Sequence, residues 1–270
     1  MVDEVQLRRV AAAAAERAEH RDRLVVTLLQ AGLLIAILLG WTLASGRLVP
    51  QIFLSTPLRV AAALVRLVAS GELWYHVRFT VMEALAGYVL GASAALLAAT
   101  GVSLVPYARQ ILHPFLLALY AVPKIAVAPL IIIWFGLGIL PKVLLAALFV
   151  FFVVFLNTVT GVQSVSRELV GVAAVMGARP WRRMLAIVLP NAVPYILVAL
   201  RLTIPAAMIG AVIGEFISSN RGLGYLINAA SSRYDTAAVF AGIFSLLLVV
   251  VAMNGAVGWL ERRLLRWRTP

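Results

Sequence analysis

Long apolar runs separated by short polar segments form the dominant pattern of this chain. Each run has about 20 residues, the length that an α-helix needs to cross the hydrocarbon core of a bilayer. Six such runs occupy residues 24–44, 79–100, 115–136, 143–163, 190–216 and 236–260. The pattern therefore predicts an all-α polytopic membrane protein with about six transmembrane helices.

Two of the predicted spans carry prolines in their interiors. Pro123 and Pro129 lie in the third span, and Pro194 and Pro205 lie in the fifth. A proline removes one backbone hydrogen bond, and hydrocarbon tolerates the freed carbonyl only where protein or a water-filled cavity covers it. We therefore predict that both helices are kinked or broken, and that they are candidates for lining a pathway.

Basic residues are distributed unevenly over the connecting segments. Six spans place both chain ends on one side of the membrane. With both ends inside, the cytoplasmic segments hold 14 arginines and the outer segments 7 arginines and lysines. Because cytoplasmic loops carry an excess of these residues, we predict an N-in, C-in topology. Residues 1–23 then form a cytoplasmic segment, 24–260 the transmembrane domain and 261–270 a cytoplasmic tail.

The composition agrees with a membrane protein. Hydrophobic residues make up 63% of the 270 residues and charged residues 13%, whereas a soluble domain carries about 25% charged residues. The net charge of +12 is explained by the basic residues that flank the spans, so no nucleic acid partner is predicted. The chain has no cysteine and its histidines share no metal-ligand spacing, so no disulfide or metal site is predicted.

The predicted inner segment between the fourth and fifth spans has its own helical pattern. Residues 168–176 can form a short helix, and Gly177 can then adopt the positive φ typical of a helix C-terminus. Pro180 suits the first turn of a second short helix, 180–188, and Pro190 the first turn of the fifth span. We predict a cytoplasmic helix–turn–helix elbow. Its tip is basic, with Arg179, Arg182 and Arg183.

A spacing within this elbow resembles a family signature. Gly177, nine residues, Ile187, one residue and the pair Leu189–Pro190 match the glycine–x9–isoleucine–x–leucine–proline part of the EAA signature of ABC importer permeases. Alone, a glycine and a proline would mark ordinary helix boundaries. Further segments resemble the nitrate, sulfonate, taurine and bicarbonate branch, and similar permeases import thiamine-precursor pyrimidines. These segments are AVPKIAVAPLIIIWFGLG (121–138), VFFVVFLNTVTGVQSV (150–165), IGEFISSNRGLGYLI (213–227) and LERRLLRW (260–267).

The resemblance implies that the elbow is a coupling helix, which docks in a cleft of an ATP-binding subunit. The residues expected to form it are Glu168, Ala173, Ala174, Gly177, Arg179, Pro180, Arg182, Arg183, Ile187, Leu189 and Pro190. The resemblance also implies two ABC ATPase subunits, a second permease copy in a homodimer, an extracytoplasmic substrate-binding protein and a place in the bacterial inner membrane.

One position departs from the family signature. The family's glutamate falls six residues before the glycine, where this chain has Gly171. Glu168 lies about one helical turn earlier. Either Glu168 replaces the missing glutamate, or that contact is absent.

The lysines are informative by their positions. Lys124 and Lys142 are the only ones, and each follows a proline, so the chain has no glycine–lysine pair and no phosphate-binding loop of the GxxxxGK[ST] kind. We therefore predict that the chain is not an enzyme and binds no cofactor. ATP and magnesium would belong to a separate subunit.

Ionisable and polar side chains within the predicted spans are functional hypotheses, because they are costly at membrane depth. They are Glu83, Lys124, Asn157, Arg201 and Glu215. In one interpretation, Lys124 and Arg201 face a central pathway and attract an anionic substrate. In the other, Glu83 or Glu215 pairs with one of these two bases as a structural link between helices. The glycine-rich segment 214–224 is either a re-entrant turn or gate, or a plain surface loop.

The sequence thus predicts the permease subunit of an ATP-driven importer for a small anionic or polar solute. The solute would be a sulfonate, nitrate, bicarbonate or pyrimidine precursor. The alternative is a self-contained secondary transporter or channel that uses Glu83, Lys124 and Glu215 as an ion relay, which needs no docking elbow. A membrane-embedded enzyme is disfavoured because no nucleophile–base pair appears within the spans.

Overall fold

The computed structural model describes residues 2–105 and 107–264, and in this part of the chain all regular secondary structure is helical. Side chains are described from residue 21 onward, except those at 106, 109, 167, 260–262 and 264–270. The predicted tail, 261–270, and the segment 260–267 therefore lie largely outside the described residues. The helices are α1 (Val2–Ala44), α2 (Pro57–Ala69), α3 (Glu72–Leu104), α4 (Ala108–Ala121), α5 (Lys124–Phe135), α6 (Leu140–Gln163), α7 (Arg167–Val175), α8 (Pro180–Arg183), α9 (Leu189–Ser218), α10 (Leu223–Ser232) and α11 (Thr236–Leu264).

Five helical stretches are long and apolar enough to cross a membrane. They are Arg21–Ala44, Glu72–Leu104, Leu140–Gln163, Pro180–Ser218 and Thr236–Trp259. The bent pair formed by α4 and α5 supplies a sixth crossing if it is counted as one span. The predicted fold class, an all-α protein with about six spans, is confirmed.

The chain divides into two compact units, 1–62 and 63–270. In the first unit, the segment after α1 folds back on the helix end. The indole Nε1 of Trp41 donates a hydrogen bond to the carbonyl of Ser55 (2.8 Å), and the hydroxyl of Ser45 donates to the carbonyl of Leu54 (2.5 Å). The second unit contains the helices that concern function.

Prolines have different effects in the two spans that contain them. The predicted break in the third span is found at Pro123, where α4 and α5 meet at 90°. A residue that precedes a proline disfavours the α conformation, and Val122 is extended (φ −61°, ψ 128°). For the fifth span the predicted alternatives were a kink or a break, and the break is wrong, whereas the kink stays a prediction. α9 continues through Pro194 and Pro205, because neighbouring helices can cover the groups that a proline frees.

The core of the second unit is built on close contact of three helices. α6 lies between α3 and α9, and at the contacts the facing residues are small. A Cβ atom at Gly210 of α9 would lie 2.6 Å from the Cα of Ala146 on α6, and Gly87 and Gly91 of α3 approach Ala146 and Ala147 from the other side. Small residues allow helix backbones in membranes to approach closely. This packing aligns the first turns of α3 and α6 with the last turns of α9.

The elbow differs in one respect from its prediction. α7 ends at Val175, and Gly177 has the positive φ (80°) that was predicted. However, the second short helix, predicted over 180–188, is not a separate element. α8 continues through a π-helical turn, Met184–Val188, directly into α9.

Pro190 lies in the first turn of α9, as predicted, but no break separates α9 from the π-helical turn before it. The hydrogen bonds of that turn explain the continuity. There the amide of Leu189 bonds to the carbonyl of Met184, five residues back. Proline has no N–H to donate, and a widened turn lets the neighbouring amides find other carbonyls, so the helix can continue.

Candidate functional site

Four polar side chains lie buried together at the end of the second unit that is opposite the elbow. We call Thr80, Glu83, Lys142 and Glu215 the buried polar cluster; each is at most 2% exposed. Thr80 and Glu83 belong to α3, Lys142 to the first turn of α6, and Glu215 to the last turn of α9. The cluster thus joins the three helices of the core at one end.

An ion pair forms the first half of the cluster. The ammonium Nζ of Lys142 lies 3.1 Å from Oε1 of Glu83, and it also donates a hydrogen bond to the hydroxyl of Ser219 (2.7 Å). Taking two charges out of water is costly, and the cost is recovered only when the pair has good geometry and further hydrogen bonds. The pair therefore links α3 to α6, and through Ser219 to the turn that follows α9.

Glu215 and Thr80 form the second half and hold the glycine-rich segment. The hydroxyl of Thr80 donates to Oε1 of Glu215 (2.6 Å) and accepts the amide of Leu223 (2.7 Å). Oε2 of Glu215 accepts the amide of Gly224 (2.6 Å), and Nδ1 of His76 accepts the amide of Gly222 (3.0 Å). Three consecutive backbone amides are thus bound by side chains from α3 and α9.

Position 222 accepts only glycine. Its φ is +104°, and a Cβ atom would collide with the carboxylate of Glu215. Residues 222–224 are buried. The alternative that segment 214–224 is a plain surface loop is therefore wrong, because its amides point into the protein. Its role as a gate stays a prediction.

Thr80→Val is expected to loosen this segment. The substitution keeps the shape of the side chain but removes both hydrogen bonds, leaving the carboxylate of Glu215 and the amide of Leu223 without that partner. We expect a loss of about 1–3 kcal/mol in the free energy of unfolding, measured by titration of the purified protein with SDS in mixed micelles.

Thr203→Val is the matched control for this substitution. Thr203 is equally buried but bonds only to carbonyls of its own helix, with Ala199 at 2.9 Å. Loss of the Thr203 hydroxyl should lower the free energy of unfolding by about 0.6 kcal/mol, the average for a side-chain hydrogen bond in a membrane protein. Equal effects of the two substitutions would mean that Thr80 does not bridge α3 to the glycine-rich segment.

The five predicted pathway residues do not lie together in the structure. Glu83 and Glu215 belong to the buried polar cluster. Lys124 is half-buried, donates to the carbonyl of Tyr120 (3.1 Å) and lies over that residue's ring. Arg201 is exposed on α9, and Asn157 donates to the carbonyl of Val153 in its own helix (2.8 Å).

The predicted pairing of Glu83 with a base inside the spans names the wrong base. Glu83 pairs with Lys142 rather than with Lys124 or Arg201. The predicted span 143–163 excludes Lys142 because the apolar run begins after it. The helix in fact begins at Leu140 and carries the lysine in its first turn. Whether Lys124 and Arg201 face a pathway stays a prediction.

The elbow presents apolar side chains to its surroundings. Val175 is 92% exposed and Met176 is 81% exposed, and Arg179 and Arg182 beside them are exposed as well. No atom of the second unit lies within 4 Å of a Cβ atom built on Gly177. Clustered exposed apolar residues with a polar rim are typical of protein interaction sites. Docking of the elbow on an ATPase stays a prediction.

Residues 87–266 match the family of binding-protein-dependent transport system inner membrane components. The chain belongs to this family. The predicted permease of an ABC importer is thereby confirmed, as is a multi-pass protein of the inner membrane. The family assignment favours this function over a self-contained secondary transporter or channel.

Several curated proteins are similar to this permease over most of their length. The riboflavin transport system permease protein RibX of Chloroflexus aurantiacus is 38% identical over 81% of each chain. The putative aliphatic sulfonates transport permease protein SsuC of Bacillus subtilis is 36% identical over 89% of this chain and 87% of its own. The taurine transport system permease protein TauC of Escherichia coli is 29% identical over 90% of each.

A solved structure has a similar fold. The MetNI methionine ABC transporter in an inward-facing conformation matches 73% of this permease and 94% of its own chain, with a TM-score of 0.56 and 16% sequence identity. This likeness concerns the helical architecture.

Sequence reasoning missed four residues that complete the site: Thr80, His76, Lys142 and Ser219. A usable signal existed for one of them. A buried glutamate in a span requires a cation, and a lysine directly after a proline at a span boundary falls in the first helical turn. Thr80, His76 and Ser219 are ordinary polar residues near span ends, and nothing in their local sequence distinguishes them.

Proposed function

We propose that this permease imports a small anionic or polar solute, driven by ATP hydrolysis on separate ABC ATPase subunits that dock on the elbow. The observation that carries the proposal is the exposed apolar surface at Val175 and Met176 beside the turn at Gly177. An exposed valine and methionine next to arginines suit a partner with an apolar cleft and an acidic rim.

The proposed assembly contains two ATPase subunits, two copies of the permease and a substrate-binding protein. The family description, a binding-protein-dependent system, supports the last of these. The ATPase would bind ATP and magnesium, and the permease itself would bind no cofactor. The excess of arginine on one side supports an N-in, C-in orientation, with segments 1–23 and 261–270 in the cytoplasm.

The substrate class is proposed from relatives of this permease. The names of relatives include aliphatic sulfonates and taurine, which carry a sulfonate group, and also formylaminopyrimidine and riboflavin. These substances share an anionic or polar group, so the proposed substrate is a small solute with such a group. Of the narrower classes, a sulfonate-like anion is favoured by the cationic residues described in the next subsection.

Coupling would use the continuity of α8, the π-helical turn and α9. A helix of 39 residues joins Pro180 in the elbow to Ser218, a length of about 58 Å at 1.5 Å per residue. Movement of the elbow when the ATPases close would therefore tilt the same helix that carries Glu215. Such rigid-body motion is a known way to switch between two states of a membrane protein.

Gly177→Trp tests the proposal. The indole finds open space within the permease, so its bulk is met only by a docked partner. We expect the substitution to prevent co-purification of the ATPase or to abolish substrate-stimulated ATP hydrolysis in the reconstituted complex.

Gly177→Asn is the control, because asparagine tolerates the positive φ at this position (80°) without adding bulk. It separates backbone strain from steric exclusion. Normal co-purification together with normal stimulated hydrolysis in Gly177→Trp would contradict docking at the elbow.

A further inference from the structure

A cavity of about 510 Å³ lies beside the buried polar cluster. Its walls come from the end of the segment before α6, at Gly138, from Lys142, and from the turn after α9, residues 218–221. The proposed orientation places this cavity at the outer end of the permease.

Two cations line the cavity. The ammonium of Lys142 uses one N–H for Glu83 and one for Ser219, which leaves one of its three donors free of these contacts. The guanidinium of Arg221 lies 4.2 Å from the ring centre of Phe79. Ion pairs within the described part of the chain do not include Arg221. Arg221 therefore brings a positive charge that no carboxylate neutralises at contact distance.

Ser218 also belongs to the cavity wall. Its Oγ atom is shielded from solvent and has no hydrogen-bond partner among the described residues. Such groups are rare in native proteins and call for a partner. A turn about the Cα–Cβ bond would let this hydroxyl donate to a molecule in the cavity.

The first turn of α6 adds the positive end of a helix dipole. The helix begins at Leu140, next to the Gly138 wall, and runs for 24 residues. Pro141 has no N–H, and the amide of Val143 bonds to the carbonyl of Ile139, so the turn acts through its dipole, which favours an anion at this end. With Lys142 and Arg221, this helix end gives one side of the cavity a positive potential. Its chemistry suits an oxyanion with several acceptor oxygens.

We propose that this cavity binds the anionic group of the transported solute, a sulfonate or a similar oxyanion, at the outer end of the permease. The inference rests on the proposed import of a small anionic solute and makes it specific. Ser218 and Arg221 would contact the anion directly, while Glu83 holds Lys142 in place from behind.

The test uses the full permease in complex with its ATPase in lipid nanodiscs. Thermal unfolding is followed by tryptophan fluorescence during titration with methanesulfonate, at an ionic strength kept constant with sodium chloride. Dimethyl sulfone, which has the same shape and no charge, is the matched ligand control. We expect methanesulfonate to raise the unfolding temperature in a saturable manner and dimethyl sulfone to leave it unchanged.

Ser218→Ala and Arg221→Gln should each weaken the apparent affinity for methanesulfonate about tenfold, because each removes a donor and one removes a charge. Ser232→Ala and Arg233→Gln are the matched controls. Ser232 is exposed and bonds to its own helix, and Arg233 lies on the next loop, outside the cavity. Both controls should keep the wild-type affinity.

Three outcomes would overturn the proposal. They are no response to methanesulfonate, an equal response to dimethyl sulfone, or unchanged affinity in both Ser218→Ala and Arg221→Gln. The proposed function as an ATP-driven permease is tested separately, because the Gly177→Trp experiment measures ATPase co-purification without any anion. A permease that binds its ATPase normally but fails the titration loses only the cavity proposal.

Discussion

Lys142→Met is expected to lower the free energy of unfolding by about 3–5 kcal/mol, because it leaves the carboxylate of Glu83 buried without its cation. Glu83 is fully buried, so its carboxylate depends on groups of the protein rather than on solvent. Methionine fits the space of the lysine stem, so the loss reports the charge and not a cavity. The measurement is SDS titration of the purified permease in mixed micelles.

The double substitution Glu83→Met/Lys142→Met decides whether the ion pair itself carries this effect. Replacing a buried pair by apolar residues of similar volume is often neutral or stabilising, so we expect the double variant to recover most of the loss. Arg201→Met, at an exposed arginine on α9, is the matched control and should have little effect. Equal losses for Lys142→Met and Arg201→Met would rule out a stabilising pair.

Gly210→Ala is expected to destabilise the permease by about 3 kcal/mol, near the upper end of the usual range for overpacking. The new methyl group would lie 2.6 Å from the Cα of Ala146 and 2.9 Å from the carbonyl oxygen of Leu145. Both atoms belong to the backbone of α6, so no side chain can rotate away. The helices α6 and α9 must separate instead.

Gly101→Ala is the same substitution in an open position and should have the opposite sign. A Cβ atom at Gly101 of α3 has nothing within 4 Å, and alanine is a better helix former than glycine by about 1 kcal/mol. The two variants are compared by the same unfolding titration. Destabilisation of similar size in both would show that close packing at Gly210 is not the cause.

Local features of the sequence predicted most of the fold. Apolar runs define the spans because hydrocarbon allows few alternatives to a helix. Pro123 marks the break in the third span, and Gly177 marks the turn of the elbow, because both residues impose backbone conformations that do not depend on distant contacts. The family signature then gave the function.

Features that depend on contacts between distant residues escaped prediction. Glu83 and Lys142 are 59 residues apart, and Thr80 and Leu223 are 143 apart, so no local pattern pairs them. The continuity of the helix before Pro190 includes the widened turn at 184–188, and no local sequence pattern marks that turn. The site was therefore predicted only in part.

The contact of glycine with backbone on both sides of α6 has a consequence for motion. At the level of Ala146 and Ala147, no long side chain separates α6 from its two neighbours, since Gly87 and Gly91 of α3 and Gly210 of α9 meet these residues directly. Sliding the helices past one another at this level would force backbone against backbone. We therefore expect α3, α6 and α9 to move as one block, with the hinges of a transport cycle outside it.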